Sequence, residues 1–292
     1  MKNKTIYFTG KFEVISNKFV NLLQRIKKNN NIKVIFLFNE SNIMTFEERK
    51  TLLEQHLHNL KYEIHEENNC ARLTRKKVCS LTITKVKDSN FKNLKNVDAP
   101  LNYLKYILDK HYFIYDKIAN MMSENRYKHT ASVALTAIEI AKNNQLDPKK
   151  AFIASMLHDI AKETSKDITQ RIMLKSFKNH LNEDEVVHHQ FVGTIFAQKL
   201  FKIYNKDILR SIKYHTTGTK SMSKCAKIVY CSDKIEPTRG YDSQYMIDAC
   251  KKDINDGFKL VLHENIQFLK NRGVKIGGLT QKAIKYYNIN SF

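Results

Sequence analysis

The chain has 292 residues, 42% of them hydrophobic, which is enough length and apolar content for one large or two ordinary packed domains. Fifty Lys and Arg against 29 Asp and Glu give a formal charge of +21, which favours anionic ligands such as nucleotides. The excess is spread along the chain, so a dedicated nucleic-acid stripe is not expected, and no apolar run approaches the ~20 residues that span a bilayer.

The α/β character shows first. Residues 5–9 read as a strand, 18–28 as a helix, 32–38 as a continuous apolar strand and 46–57 as a second helix. A short, fully apolar segment such as Val34-Ile35-Phe36-Leu37-Phe38 suits a parallel sheet covered on both faces. Residues 61–66 and 78–84 add two candidate strands. After about Asp98 the pattern turns helical, with few glycines and no alternating strand. Pro100 opens a helix to about residue 110, and the aromatic run His111-Tyr112-Phe113-Ile114-Tyr115 joins the halves. The expected organisation is an α/β domain over 1–115 and an all-α bundle over 116–292. Cys70, Cys79, Cys225, Cys231 and Cys250 form no CxxC pair, which argues against a disulfide framework or zinc ribbon and for a reducing compartment. The N-terminal Met-Lys-Asn-Lys-Thr runs straight into a strand-like segment, so the expectation is a cytoplasmic protein.

The chemistry lies in the helical half. His129, Val133, Thr136 and Ile140 share one helix face, which turns His129 inward. Residues 151–163 read as a central helix, apolar up to the adjacent pair His158 and Asp159, with Lys162 one turn beyond, near enough to meet a phosphate. Asp233 shares a face with Ala226, Val229 and Tyr230 on a helix that Pro237 ends. Its place at a helix C-terminus, where the dipole disfavours an anion, calls for a nearby cation. Four buried ionisable groups are costly unless something pairs with them, and a divalent metal pairs with all four. Imidazole and carboxylate together suit iron, manganese, cobalt or zinc. His189, His215 and Arg239 are candidates to neutralise an anionic chain beside such an ion, Arg through its planar fork.

Arg126-Tyr127-Lys128-His129-Thr130, the run from Leu157 to Glu163, His189 with Val192-Gly193, Tyr214-His215-Thr216-Thr217-Gly218 and the run from Asp233 to Arg239 resemble, in order and spacing, the HD-domain symmetrical diadenosine tetraphosphatases of bacteria. The resemblance covers about residues 115–288. It implies an HD helical bundle that cleaves diadenosine tetraphosphate to two ADP. His129, His158, Asp159 and Asp233 would hold iron, with manganese or cobalt as substitutes, while His189, His215, Thr216 and Arg239 would contact the nucleotide. Asp159 and Lys162 would take the catalytic roles. Thr280, with Gly278 and Leu279, falls where the family closes over the nucleotide, although the wording there departs from the usual His-Pro.

The first part is similar to nicotinate mononucleotide adenylyltransferases, through Met44-Thr45-Phe46-Glu47-Glu48-Arg49 and Val97-Asp98-Ala99-Pro100-Leu101, as a reduced Rossmann-like domain. The paired phosphate-binding histidines of that family are absent from residues 9–18, so adenylyl transfer is not expected. The rival readings are an intact adenylyltransferase and a nucleotide-sensing RNA- or ribosome-associated module. The partner expected is a small nucleotide, and a homodimer is compatible with the sequence.

Overall fold

The computed structural model describes residues 4–12, 15–28, 32–41, 44–66, 82–85, 100, 102–103, 106, 118 and 120–289. The chain divides into two compact units, Met1–Ile114 and Tyr115–Phe292.

In the first unit, β1 (Lys4–Gly10), β2 (Ile32–Phe38), β3 (Lys61–Glu66) and β4 (Thr82–Lys85) form a parallel sheet in the order β3-β2-β1-β4. The apolar run predicts β2 well: Val34 to Phe38 are all buried, as an inner parallel strand requires. Helix α1 (Asn17–Lys27) joins β1 to β2 and buries Phe19, Leu23 and Ile26, spaced four and three apart. Ser16 caps it by accepting from Phe19 N. Helix α2 (Phe46–Glu54) starts in a capping box in which Thr45 and Glu48 satisfy each other's backbone N–H groups.

The carboxyl ends of β1 and β2 are sealed. Phe12 is fully buried and stacks on Phe38 with ring centroids 4.6 Å apart, while Phe8 packs edge-on to Phe19 at 5.0 Å. Buried Arg49 donates to the carbonyls of Lys11 at 2.6 Å and Asn39 at 2.7 Å, tying the loops that leave both strands. Of the expected strand over 78–84, residues 82–84 fall in β4, which pairs in parallel with β1 from Ile6 and Thr82 onward. Residues 78–81, Val97 to Ala99, the aromatic run 111–115 and most of the expected helix over 100–110 lie outside the described residues.

The second unit is helical throughout its described residues: α3 (Glu124–Asn143), α4 (Pro148–Leu157), α5 (Lys166–Ser176), α6 (His188–Phe201), α7 (Lys206–Lys213), α8 (Lys224–Ile235), α9 (Gln244–Lys252), α10 (Ile254–Asn271) and α11 (Gly278–Tyr287). Ser123, Asp147, Asn205, Ser223 and Asp253 cap α3, α4, α7, α8 and α10 through their side chains. One apolar core runs through α3, α8, α9 and α10, with Ile140, Ile228, Tyr230, Ile254 and Phe258 at its centre. Gly257 lets α10 approach α9 closely, since a Cβ there would sit 2.5 Å from Cys250 Cα.

The helix expected over 151–163 is shorter than its pattern suggests. Regular α-helix ends at Leu157, and His158 and Asp159 occupy a turn with tighter spacing: His158 N bonds Ser155 O at 3.4 Å and Ile160 N bonds Leu157 O at 3.3 Å. The His158 ring also takes the Ser155 carbonyl, Nδ1 donating at 2.6 Å. Ala151 to Leu157 are all buried, so the turn is delivered into the interior of the unit.

Candidate metal centre

Four imidazoles and two carboxylates meet inside the helical unit. His129 comes from the first turns of α3, His158 and Asp159 from the turn after α4, His189 from the start of α6, His215 from the turn after α7, and Asp233 from the end of α8. His158, Asp159, His189, His215 and Asp233 are buried, and His129 nearly so.

The rings share one orientation device. The Nδ1 atoms of His158, His189 and His215 lie 2.6, 2.8 and 2.8 Å from the carbonyl oxygens of Ser155, Val186 and Ile212, each three residues earlier. A carbonyl oxygen only accepts, so each Nδ1 carries the proton and each neutral ring presents a bare Nε2. In a neutral His129 ring, Glu236 Oε1, 3.0 Å from Nδ1, would set the same tautomer.

These bare nitrogens point at carboxylate oxygens and at one another. His129 Nε2 lies 3.2 Å and His158 Nε2 3.5 Å from Asp233 Oδ1, and His158 Nε2 is 3.7 Å from Asp159 Oδ2. His189 Nε2 and His215 Nε2 lie 3.2 and 3.3 Å from Asp159 Oδ1 and 3.2 Å from each other. With all four rings in that tautomer, lone pairs face lone pairs, and a proton or a metal cation must lie between them. His158 Nε2 makes the point most sharply, since it is buried and has no hydrogen-bond partner. Ligand atoms of His129, His158 and Asp159 lie within 4.8 Å of one another, and so do those of Asp159, His189 and His215. A mixed set of imidazole nitrogen and carboxylate oxygen fits a divalent transition metal.

Cationic side chains stay at the rim. Arg126 Nη1 donates to Asp159 Oδ2 at 2.8 Å, Arg239 to Asp233 Oδ1 at 2.7 Å, and Lys234 Nζ to Asp233 Oδ2 at 3.2 Å. They offset the carboxylate charge without reaching the bare imidazole nitrogens. Burial pushes both carboxyl pKa values up, but the surrounding groups win. Asp159 is held well below the usual range by His158, His189 and His215, and Asp233 by Lys234 and His129. Burial pushes the His215 imidazolium down to about 4, which keeps that ring neutral. For His129, burial lowers the pKa, while Asp233 and Glu236 outweigh it and raise it.

The sequence candidates fall into two sets. His129, His158, Asp159, His189, His215 and Asp233 converge, and Thr216 Oγ1 joins them 3.2 Å from His189 Nε2 and 3.0 Å from His215 Nε2. Lys162 Nζ stands 3.3 Å from His189 Nδ1, and Arg239 is tied to Asp233. Thr280 donates to the Thr217 carbonyl at 2.9 Å, fastening the start of α11 to the turn that carries His215.

Three residues at the centre had no role in the sequence reading. Glu236, 1% exposed, holds the His129 ring and accepts from Thr238 N at 2.7 Å. Burial raises its pKa, but the His129, Ser132 and Thr238 bonds bring it down to about 2. Its signal was a carboxylate one turn after Asp233, directly before the helix-ending proline. Gln190 is fully buried, and its Oε1 accepts from Thr216 N at 3.2 Å and Thr217 N at 3.4 Å, fixing the His215 turn. Arg126 lies three residues before His129, one turn away on the same helix, so helical spacing could have placed it at the centre.

Comparison with known proteins agrees with this geometry. The family described as HD domain matches residues 126–238. A symmetrical bis(5'-nucleosyl)-tetraphosphatase of Bacillus subtilis is 32% identical over 161 residues, 53% of this chain and 85% of that protein. A Mycoplasma genitalium protein named "Probable nicotinate-nucleotide adenylyltransferase/Ap4A hydrolase" is 30% identical over 191 residues, 63% of this chain, and the match spans 54% of that longer protein. The crystal structure of a "predicted HD superfamily hydrolase involved in NAD metabolism" from Clostridium acetobutylicum superposes with a TM-score of 0.52 at 31% identity, covering 60% of this chain and 96% of that one. With its converging imidazoles and carboxylates set on HD-type helices, the chain belongs to the symmetrical bis(5'-nucleosyl)-tetraphosphatase family of HD-domain hydrolases.

Proposed function

We propose that the helical unit hydrolyses dinucleoside polyphosphates at a divalent metal centre, cleaving diadenosine tetraphosphate and water to two ADP. The observation that carries this reading is the set of bare Nε2 atoms around Asp159 and Asp233, above all the unpartnered His158 Nε2. In this reading His129, His158, Asp159 and Asp233 hold the ion, with iron as the metal of choice and manganese or cobalt as substitutes. When bound, such an ion supplies Lewis acidity toward the phosphoryl oxygen and lowers the pKa of water.

The protein's own groups do the rest. Glu236 and the Ser155 carbonyl hold His129 and His158 in the tautomer that leaves Nε2 free. Asp159, whose carboxylate accepts from the Arg126 guanidinium at 2.8 Å, has the charge to orient an attacking water in line with the central phosphoanhydride bond. Lys162, Arg239 and the Thr216 hydroxyl are placed around the centre to neutralise or hydrogen-bond the four phosphates.

A second ion is favoured by one observation. Asp159 Oδ1 is met almost equally by His189 Nε2 and His215 Nε2, and those two bare nitrogens face each other. Asp159 would then bridge two ions, and His189 and His215 would be ligands instead of nucleotide contacts. Two divalent ions per chain by elemental analysis would establish this arrangement, and one would return both rings to the substrate.

The first unit is read as a remnant of a nucleotidyltransferase that no longer transfers. In open α/β sheets ligands bind beyond the carboxyl ends of the strands. Here Phe12, Phe38 and the Arg49 guanidinium pack together at the ends of β1 and β2.

The test is product analysis. The purified chain, stripped by chelator and reloaded with Fe, Mn or Co, is incubated with diadenosine tetraphosphate. Two ADP with no AMP supports the reading. AMP with ATP, or turnover that ignores the metal, overturns it. Release of pyrophosphate from nicotinate mononucleotide and ATP would restore the adenylyltransferase reading of the first unit.

A further inference from the structure

Beside the centre lies a cavity of about 420 Å³, within the range of roughly 300–1,000 Å³ typical of small-molecule sites. We infer that this cavity takes the base and ribose of one nucleoside half of the substrate, an inference that rests on the hydrolytic reading above. Lys162 and His189 line it and tie it to the centre. Thr169 and Gln170, from the first turns of α5, form one wall, and Glu185 and Val186, from the short turn that leads into α6, form the other.

The placement follows from where the substrate breaks. Cleavage at the middle of a tetraphosphate leaves two phosphates between the reacting bond and each nucleoside, so a nucleoside subsite must lie a short way from the centre, with a cation on the path. The cavity meets both conditions. His189 Nε2 is 3.2 Å from Asp159 Oδ1, and Lys162, which also lines the cavity, has its Nζ 3.3 Å from His189 Nδ1.

The walls carry the chemistry a nucleoside needs. Val186 is 69% exposed, an apolar face open to a flat ring. Gln170 offers both a donor and an acceptor to a base edge, the Thr169 hydroxyl can do either, and the Glu185 carboxylate accepts from ribose hydroxyls. Gln170, Glu185 and Val186 are exposed on the cavity's walls, where they fill no part of the apolar core. Nothing in the apolar packing of the unit requires these residue types. Side-chain changes at Thr169 and Gln170 leave in place the Val186 carbonyl that holds His189 Nδ1.

The experiment compares two substrates on Thr169→Trp, which fills the cavity, and Gln170→Ala, which removes one polar contact at an exposed position. Diadenosine tetraphosphate has two nucleosides and must use the cavity. Adenosine 5'-tetraphosphate has one, which can sit on the opposite side of the centre. Thr169→Trp should raise KM for the dinucleotide about tenfold or more, leaving kcat and the kinetics of the mononucleotide within about twofold. Gln170→Ala should shift the same KM by about threefold. Equal effects on both substrates, or none on either, overturn the inference. If Thr169→Trp does not fold, Gln170→Ala decides alone by the same comparison.

If the wild-type chain cleaves neither substrate, the hydrolytic reading falls while the cavity can still be judged. Titration with adenosine 5'-monophosphate, followed by the amide signals of Thr169 and Gln170, should then show binding that Thr169→Trp abolishes. Unperturbed signals in the wild-type chain would overturn the cavity assignment.

Discussion

The two units treat the space where a ligand would sit in opposite ways. Beyond the strand ends of the first unit, the described aromatic rings and one guanidinium pair with the chain's own groups: Phe12 stacks on Phe38, and Arg49 bridges the carbonyls of Lys11 and Asn39. At the heart of the second, helix-end turns deliver imidazoles whose Nε2 atoms face carboxylates and each other at 3.2 to 3.5 Å. A region that completes itself with its own side chains has the signature of a structural core. A region that leaves buried lone pairs opposed has the signature of a site built for something the chain does not encode.

The strongest test of that contrast removes a group shared by both sets of nitrogens. Asp159→Ala should abolish turnover and bound metal together, because Asp159 is the one residue common to both groups of candidate ligands. Activity and metal content of the purified variant check this, and a variant that keeps its metal would break the account. In the first unit the corresponding change is Phe12→Ala, which opens a cavity in a completed core and should cost about 3–5 kcal/mol of that unit's stability. Differential scanning calorimetry should show that loss, while the metal-loaded hydrolysis rate stays near wild type.

A finer comparison concerns support rather than contact. Glu236→Gln keeps the shape beside His129 but removes the charge that holds its tautomer, and should weaken metal affinity or activity by about 10–100-fold. Metal titration of the variant measures this directly. An unchanged affinity would mean the His129 ring is set by packing alone.

The smallest effect is a matter of pH in the metal-free protein. The unfolded His215 binds a proton near its ordinary value of 6.5, while the folded ring, pushed down by burial, does so only at about 4. The unfolded state therefore holds more protons between those values, and His215 makes the metal-free fold less stable as pH falls through that window. Denaturation midpoints between pH 7 and 4 should show a shallower fall for His215→Gln than for wild type. An identical slope would place the titration elsewhere.

Much of the second unit was legible in the sequence because helical periodicity and the chemistry of its polar exceptions point the same way. His129, His158, Asp159 and Asp233 each interrupt an apolar face, and all of them converge. Periodicity also misled, by running the helix of residues 151–163 through His158. A side chain that competes for its own helix carbonyl leaves no trace in an apolar pattern. Glu236 and Gln190 escaped for a related reason: a buried carboxylate or amide that serves another side chain looks like any polar residue near a helix end until the partner is in place. In the first unit, the run of Val34 to Phe38 announced its strand, whereas the role of Arg49 depends on carbonyls 38 and 10 residues away in sequence.

The most direct test of the central claim is X-ray fluorescence and anomalous scattering from crystals of the chain grown with a divalent metal. The account predicts an ion within bonding distance of His158 Nε2, His129 Nε2 and the Asp159 and Asp233 carboxylates. A crystal in which those nitrogens face one another with no metal between them, from protein that still hydrolyses diadenosine tetraphosphate after complete chelation, would contradict it.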